Sequence, residues 1–246
     1  MTSRARWISL LGLLVALGAG APSSALTLSV GVDGGGTQTF NDAQLGCTPT
    51  GTGGESCTGG GLVGGSVWTL SSWNISTSPD PVVNATAAIT NNSTSTQTFT
   101  LIFTLPVAAI PGATLVGGSV QGGATDGNGN GVTLSTATGA AFYTALIDSG
   151  VVQTLYADPT SFSTSSAFGS LSVPSVTFGA PIPSQLGPAA LTDIGIQLKF
   201  KLTPGDSASF TGVFVVEPVP EPGTLALAGL GLSGLALLGA RRRKAT

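Results

Sequence analysis

The chain has 246 residues, of which 41% are hydrophobic and 8% charged, with 37 Gly, 15 Pro, two Cys and no His. Soluble globular domains ordinarily carry about a quarter charged residues. The absence of His excludes Ser-His and Cys-His nucleophilic devices and most zinc or copper sites.

The formal net charge of −3 hides an uneven distribution. Six of the eight basic residues stand at the two ends: Arg4, Arg6, Arg241, Arg242, Arg243 and Lys244. Between Leu26 and Glu217, Lys199 and Lys201 stand against ten acids, a net of −8. Such a body cannot neutralise a phosphate backbone, so nucleic acid is not an expected partner.

The first element is a leader. Arg4 and Arg6 precede an apolar run from Trp7 to about Gly18, and Ser23-Ser24-Ala25 puts small side chains at the −3 and −1 positions. This is the form of a secretory signal peptide, residues 1–25, cut between Ala25 and Leu26 by signal peptidase. Next come Cys47 and Cys57 in CTPTGTGGESC. In an exported chain, two cysteines flanking a Gly-rich loop are expected to close a disulfide.

Period-two alternation then dominates. Val83, Ala85, Ala87 and Ile89 share a face, as do Phe99, Leu101, Phe103 and Leu105. So do Ile194, Ile196, Leu198, Phe200 and Leu202, and SASFTGVFVV alternates through Phe210, Phe214 and Val216. Weaker strands are expected at 26–32, 67–75, 113–121, 132–136, 151–156 and 174–178. Short alternating runs between Gly, Pro, Asn and Asp turns argue an antiparallel sandwich or barrel. The expected fold is all-β: a β-sandwich ectodomain over 26–217, with an N-terminal signal helix and a C-terminal transmembrane helix.

Within this body, four motifs invite a ligand. Asp126, Asn128 and Asn130 occupy positions 1, 3 and 5 of a calcium-loop opening, but the twelfth position is Ala137 rather than a bidentate Glu. An Asn-Gly hairpin turn explains the same residues. Trp68 and Trp73 form a sugar-stacking platform only if a bulge near Ser71-Ser72 brings them to one face. Thr94, Thr96, Thr98 and Thr100 make one threonine row, which an ordinary exposed strand also gives. Asn74, Asn84, Asn91 and Asn92 fit the N-glycosylation pattern, which arises by chance in a chain rich in Ser and Thr.

The last element is an uncharged stretch from Thr224 to Ala240, about 26 Å long as a helix, followed at once by Arg241, Arg242, Arg243 and Lys244. The basic cluster stays cytoplasmic under the positive-inside rule, which places the body across the membrane. Before the stretch stand Val219, Pro220, Glu221, Pro222 and Gly223. The prolines remove backbone donors and favour an extended, cleavable segment.

The order Pro-Glu-Pro, apolar helix, arginine cluster over 218–246 resembles the tail of the PEP-CTERM proteins of Gram-negative bacteria. That resemblance implies recognition by an exosortase, cutting near the motif, and passage through the inner membrane to the cell surface or extracellular matrix. In that reading Glu221 belongs to the signal and is not a catalytic group. The expected function is therefore a non-enzymatic surface or matrix protein that needs no cofactor and lies among extracellular polysaccharide. Two alternatives are a carbohydrate- or calcium-dependent binding module and a secreted β-sandwich hydrolase.

Overall fold

The structure is a computed structural model and describes residues 25–219. The expected signal helix and transmembrane helix lie outside the described residues. In chain order the elements begin with β1 (Thr27–Val32), β2 (Thr37–Phe40), a one-turn helix α1 (Asp42–Leu45), β3 (Cys47–Pro49), β4 (Glu55–Gly59) and β5 (Leu62–Gly64). They continue with β6 (Trp68–Ser78), β7 (Val82–Asn91), β8 (Gln97–Pro106), β9 (Thr114–Thr125), β10 (Val132–Thr136) and β11 (Ala141–Ile147). The remaining strands are β12 (Gly150–Ala157), β13 (Ser161–Thr164), β14 (Ser170–Phe178), β15 (Gln185–Gly187), β16 (Asp193–Leu202) and β17 (Ser207–Pro218).

These strands form two antiparallel sheets packed as a sandwich. The first runs β12-β11-β16-β8-β1-β2, with β10 also on β16 and β13 on β10. The second runs β14-β9-β17-β7-β6-β4-β3, with β15 on β9 and β5 on β6. Register makes the alternation productive: Phe99, Leu101 and Phe103 of β8 face Phe200, Leu198 and Ile196 of β16, and all six are buried. A one-residue slip would turn that whole set to solvent. In the second sheet large side chains meet small ones, Phe210 between Ala87 and Gly122 and Phe214 opposite Gly118.

Aromatic rings knit the two layers. Phe210 lies 4.9 Å from Phe200 and 5.8 Å from Phe142 across the interface, measured between ring centroids. Tyr143 sits 6.3 Å from Phe178, and Phe40 meets Trp68 edge-on at 6.4 Å. Such pairs contribute roughly 0.5–1.5 kcal/mol each beyond the area they bury.

Three differences from the sequence reading have physical causes. β11 is buried along almost its whole length, so AFYTALI shows no alternation to read. The helix α1 is one turn long, too short for a periodic stripe. It is specified by its ends: Asn41 and Gln44 form a capping box, and Gly46 closes it in the left-handed conformation. Finally, the Asp126–Gly131 turn is not a hairpin. It carries the chain from β9 in one sheet to β10 in the other.

Candidate functional site

Three regions bear on function: the exit to the tail, the polar turns that hold most of the acids, and the outer face of the β12-to-β2 sheet.

The exit is built on a central strand. β17 pairs with β9 along its full length, from Ser207 opposite Thr125 to Pro218 opposite Thr114, and with β7 on its other side. Pairing stops at Pro218, whose ring nitrogen has no hydrogen to donate. One more backbone bond, from the Val219 N–H to the Ala113 carbonyl at 3.2 Å, fixes the departing chain. The rest of the expected sorting motif, Pro220, Glu221, Pro222 and Gly223, lies outside the described residues. So does the basic cluster Arg241, Arg242, Arg243 and Lys244.

Residues 218–244 match the PEP-CTERM protein-sorting motif. The chain carries a PEP-CTERM tail. The match begins at Pro218, the last residue of β17, so motif and sandwich adjoin with no linker between them. A PEP-CTERM tail implies an exported protein sorted to the cell surface and processed by an exosortase. No curated protein and no solved structure matches the chain significantly.

At the other end, Ala25 is exposed and Leu26 is fully buried, one residue before β1. Cys47 and Cys57 face each other across the β3–β4 hairpin and form a disulfide. The Glu55 carboxylate lies within 4.8 Å of both sulfurs, but joined sulfurs offer no thiolate to a metal.

The acids of the body act mainly as turn organisers. Asp126 is 2% exposed. Its Oδ1 accepts from the N–H groups of Asn128 (3.1 Å) and Gly129 (2.8 Å), and its Oδ2 from Gly131 (2.9 Å) and Phe168 (2.8 Å). Burial pushes its pKa up, and these four amides more than reverse that, holding it at about 2 against an ordinary 3.8. Asn128 and Asn130 are exposed on the same loop, where the Asn128 carboxamide accepts from the Asn130 N–H and donates to the Pro204 carbonyl. The residues singled out for calcium thus fold the turn around one carboxylate, as an Asx-type turn does.

Asp206 is fully buried beside this turn, accepting from Gly127 N–H and Thr203 Oγ1. Burial raises its pKa, and the neighbouring Asp126 charge adds to the rise. Two carboxylates do meet here, but inside a closed turn rather than across a cleft. Asp148 repeats the turn-organising arrangement, gathering the N–H groups of Leu191, Thr192 and Asp193 at 2.7–3.1 Å. Against the opposing effect of burial, those amides and the Thr192 hydroxyl hold it at about 2.

The tryptophans are core residues. Register shifts between Leu70 and Ser72, so Ser71 forms a bulge and Trp68 and Trp73 turn to the same side. That side is inward: the two are 3% and 6% exposed. Trp73 Nε1 donates to the Leu45 carbonyl at 2.8 Å. The threonine row shrinks to Thr98 and Thr100 on β8, because Thr94 and Thr96 precede the strand. Asn91 is fully buried, with its amide donating to the carbonyls of Ser95, Leu202 and Thr203.

What remains open is the outer face of the β12-to-β2 sheet. Its registers align Thr154, Thr144, Gln197, Ile102, Ser29 and Thr39 in one row across six strands. Most of this row, with Thr104, Leu146 and Gly195 beside it, lines a trough of about 630 Å³. Five hydroxyls, the Gln197 carboxamide and the Asp193 carboxylate share it with apolar side chains such as Ile102, Leu146 and Val151. The sequence reading missed the trough because its rows come from strands distant in the chain.

Proposed function

We propose that this is a non-enzymatic protein of the cell surface or extracellular matrix, delivered by its tail and released from its leader by cleavage after Ala25. The observation that carries the reading is the junction at Pro218, where the sorting motif starts as the central strand of the sandwich ends. An exosortase cutting near Pro220–Pro222 then leaves the whole sandwich as cargo and places any new attachment one short step from β17. Load applied at that point enters a strand hydrogen-bonded on both sides, which suits a body that must stay folded while tethered. A disulfide-closed hairpin and scarce exposed Lys and Arg suit an oxidising, polymer-rich exterior. Intact mass of protein recovered from cells tests this reading: loss of residues 1–25 and a break within 219–223 support it, and an uncut chain refutes it.

The hydroxyl-lined trough favours one second reading, a carbohydrate-binding body. Neutral sugars are recognised by arrays of hydroxyl and amide groups that replace water. Retention on a glycan array that is lost on Gln197→Ala or Thr144→Val supports it. Unchanged retention in both variants, or none in the parent, removes it.

A further inference from the structure

The β1–β2 register pairs Leu28 with Phe40, Ser29 with Thr39 and Val30 with Gln38. That pairing ends at Phe40, where the chain turns into α1; Leu26 lies just before β1, and its backbone amide faces the carboxyl of Asp42, the first residue of α1. Asp42 Oδ1 is buried and accepts no hydrogen bond among the described residues. Glu55 Oε2, on β4, is buried and unpartnered in the same way. Unpaired buried carboxylate oxygens are costly, because each has lost its water without gaining a donor.

Among the described residues no cationic side chain stands beside them to answer them. Among the described residues the cationic side chains are Lys199 and Lys201, both on β16. Lys201 reaches towards Thr138 and the Asp158 charge. The groups facing the pair are Leu26 from the start of β1, the Cys47–Cys57 disulfide, which does not titrate, and the two acids themselves.

We propose that Asp42 and Glu55 form the receptor for the chain's own mature N-terminus: the α-ammonium that leader cleavage creates on Leu26. Hydrolysis of the Ala25–Leu26 amide consumes one water, leaves a carboxylate on Ala25 and an amine on Leu26, and that amine takes a proton at neutral pH. A single N–H facing Asp42 becomes three donors and a positive charge, enough to serve Asp42 Oδ1 and to offset the charge of Glu55. The fully buried Leu26 side chain holds the new terminus in place. The uncut chain shows the deficit that cleavage corrects. Burial holds Asp42 above the ordinary carboxylate range despite help from the Leu26 amide, and burial followed by the Asp42 charge does the same to Glu55. Cutting one residue earlier or later moves the ammonium away from the pair, so the receptor also defines which bond is the productive one. The inference rests on the export reading for its biology.

The test is made in vitro on the chain from Leu26 to Thr246 in detergent, released from a removable fusion that leaves Leu26 first. Its partners are a chain beginning at Ala25, and Asp42→Asn and Glu55→Gln variants of the Leu26 chain. The pKa of the terminal amine is read by NMR. The ordinary value is about 7.7–8.0, and an opposite charge within hydrogen-bonding reach raises it by about 1–3 units. The rise is expected in the Leu26 chain, absent in the Ala25 chain, mostly lost in Asp42→Asn and partly lost in Glu55→Gln. The Leu26 chain also melts higher than the Ala25 chain at neutral pH. That advantage fades as pH rises through the raised amine pKa, and again as pH falls far enough to protonate the acids. An ordinary amine pKa in the Leu26 chain overturns the proposal, as does equal melting of the Leu26 and Ala25 chains. So does a calcium-dependent rise in melting temperature with no shift in the amine, which assigns the pair to a metal. The Ala25 comparison leaves both acids intact, so misfolding of the acid variants does not blur the answer. A shifted amine in vitro with the leader still attached to protein from cells sinks the export reading and leaves the geometry of the pair standing, whereas a leader cut at another bond overturns the receptor.

Discussion

Tyr143 Oη donates a 2.8 Å hydrogen bond to the Val213 carbonyl, so a side chain of one sheet reaches through the core to the backbone of the other. Space for the phenol depends on Gly118, where an added Cβ would fall 2.7 Å from Oη and 2.5 Å from the Val213 oxygen. Deep burial pushes the phenol pKa far up, so it is a permanent donor. Tyr143→Phe is expected to cost about 0.5–1.5 kcal/mol, the worth of one such bond. Gly118→Ala is expected to cost at least about 1–3 kcal/mol through overpacking. Chemical denaturation of both variants checks the order; a neutral Gly118→Ala contradicts the close approach.

The indole of Trp73 lies over Gly59 on the neighbouring strand, where a Cβ would come within 2.2 Å of the ring. Trp68 covers Gly64 in the same way at 2.0 Å. The ring fills the space that the missing side chain leaves, as aromatic residues do beside strand glycines. Gly59→Ala should therefore displace Trp73, shift its fluorescence to the red and destabilise the body by about 1–3 kcal/mol. Gly36→Ala, at a position with nothing within 4 Å, should change little and serves as the control.

Closing the Cys47–Cys57 ring restricts the unfolded chain across nine intervening residues. Loop entropy puts that at about 2–3 kcal/mol. Reduction, or a Cys47→Ser/Cys57→Ser double variant, is expected to lower the denaturation midpoint by the corresponding amount without changing the sheet signal in circular dichroism.

Asp126 and Asp148 both sit at about 2 in the folded protein against an ordinary 3.8. A depressed folded pKa contributes stability above the unfolded value, and that contribution is lost as pH falls towards the folded one. Stability is therefore expected to drop between about pH 4 and pH 2. Asp126→Asn and Asp148→Asn should flatten that drop while lowering stability at neutral pH. Asp206, raised by burial, works in the opposite direction: its uptake of a proton in the native state favours folding at mildly acid pH. Melting curves from pH 2 to pH 7 on the three Asp→Asn variants separate these contributions.

Much of the sandwich was legible because half-buried strands alternate. β8, β16, β17 and β7 announce themselves through Phe99 to Leu105, Ile194 to Leu202, Phe210 to Val216 and Val83 to Ile89. The bulge at Ser71 was foreseen only as a condition for uniting the tryptophans, and it does unite them, facing inward. β11 stayed hidden because its residues are buried along most of the strand, and α1 because capping rather than periodicity specifies it. At the tail, prolines, an apolar run and arginines act locally, so a linear reading finds them. The trough assembles from strands far apart in the chain, and the Asp42–Glu55 pair joins a one-turn helix to a strand two elements on, so no periodic pattern reports either.

The central claim is that the sandwich is cargo, trimmed at both ends on its way out of the cell. Intact mass spectrometry of the protein recovered from its own envelope and medium addresses it most directly. The account expects a species that starts at Leu26, ends within Val219–Gly223 apart from anything the exosortase attaches, and weighs two hydrogens less than its reduced form. Recovery of all 246 residues with free thiols would contradict it.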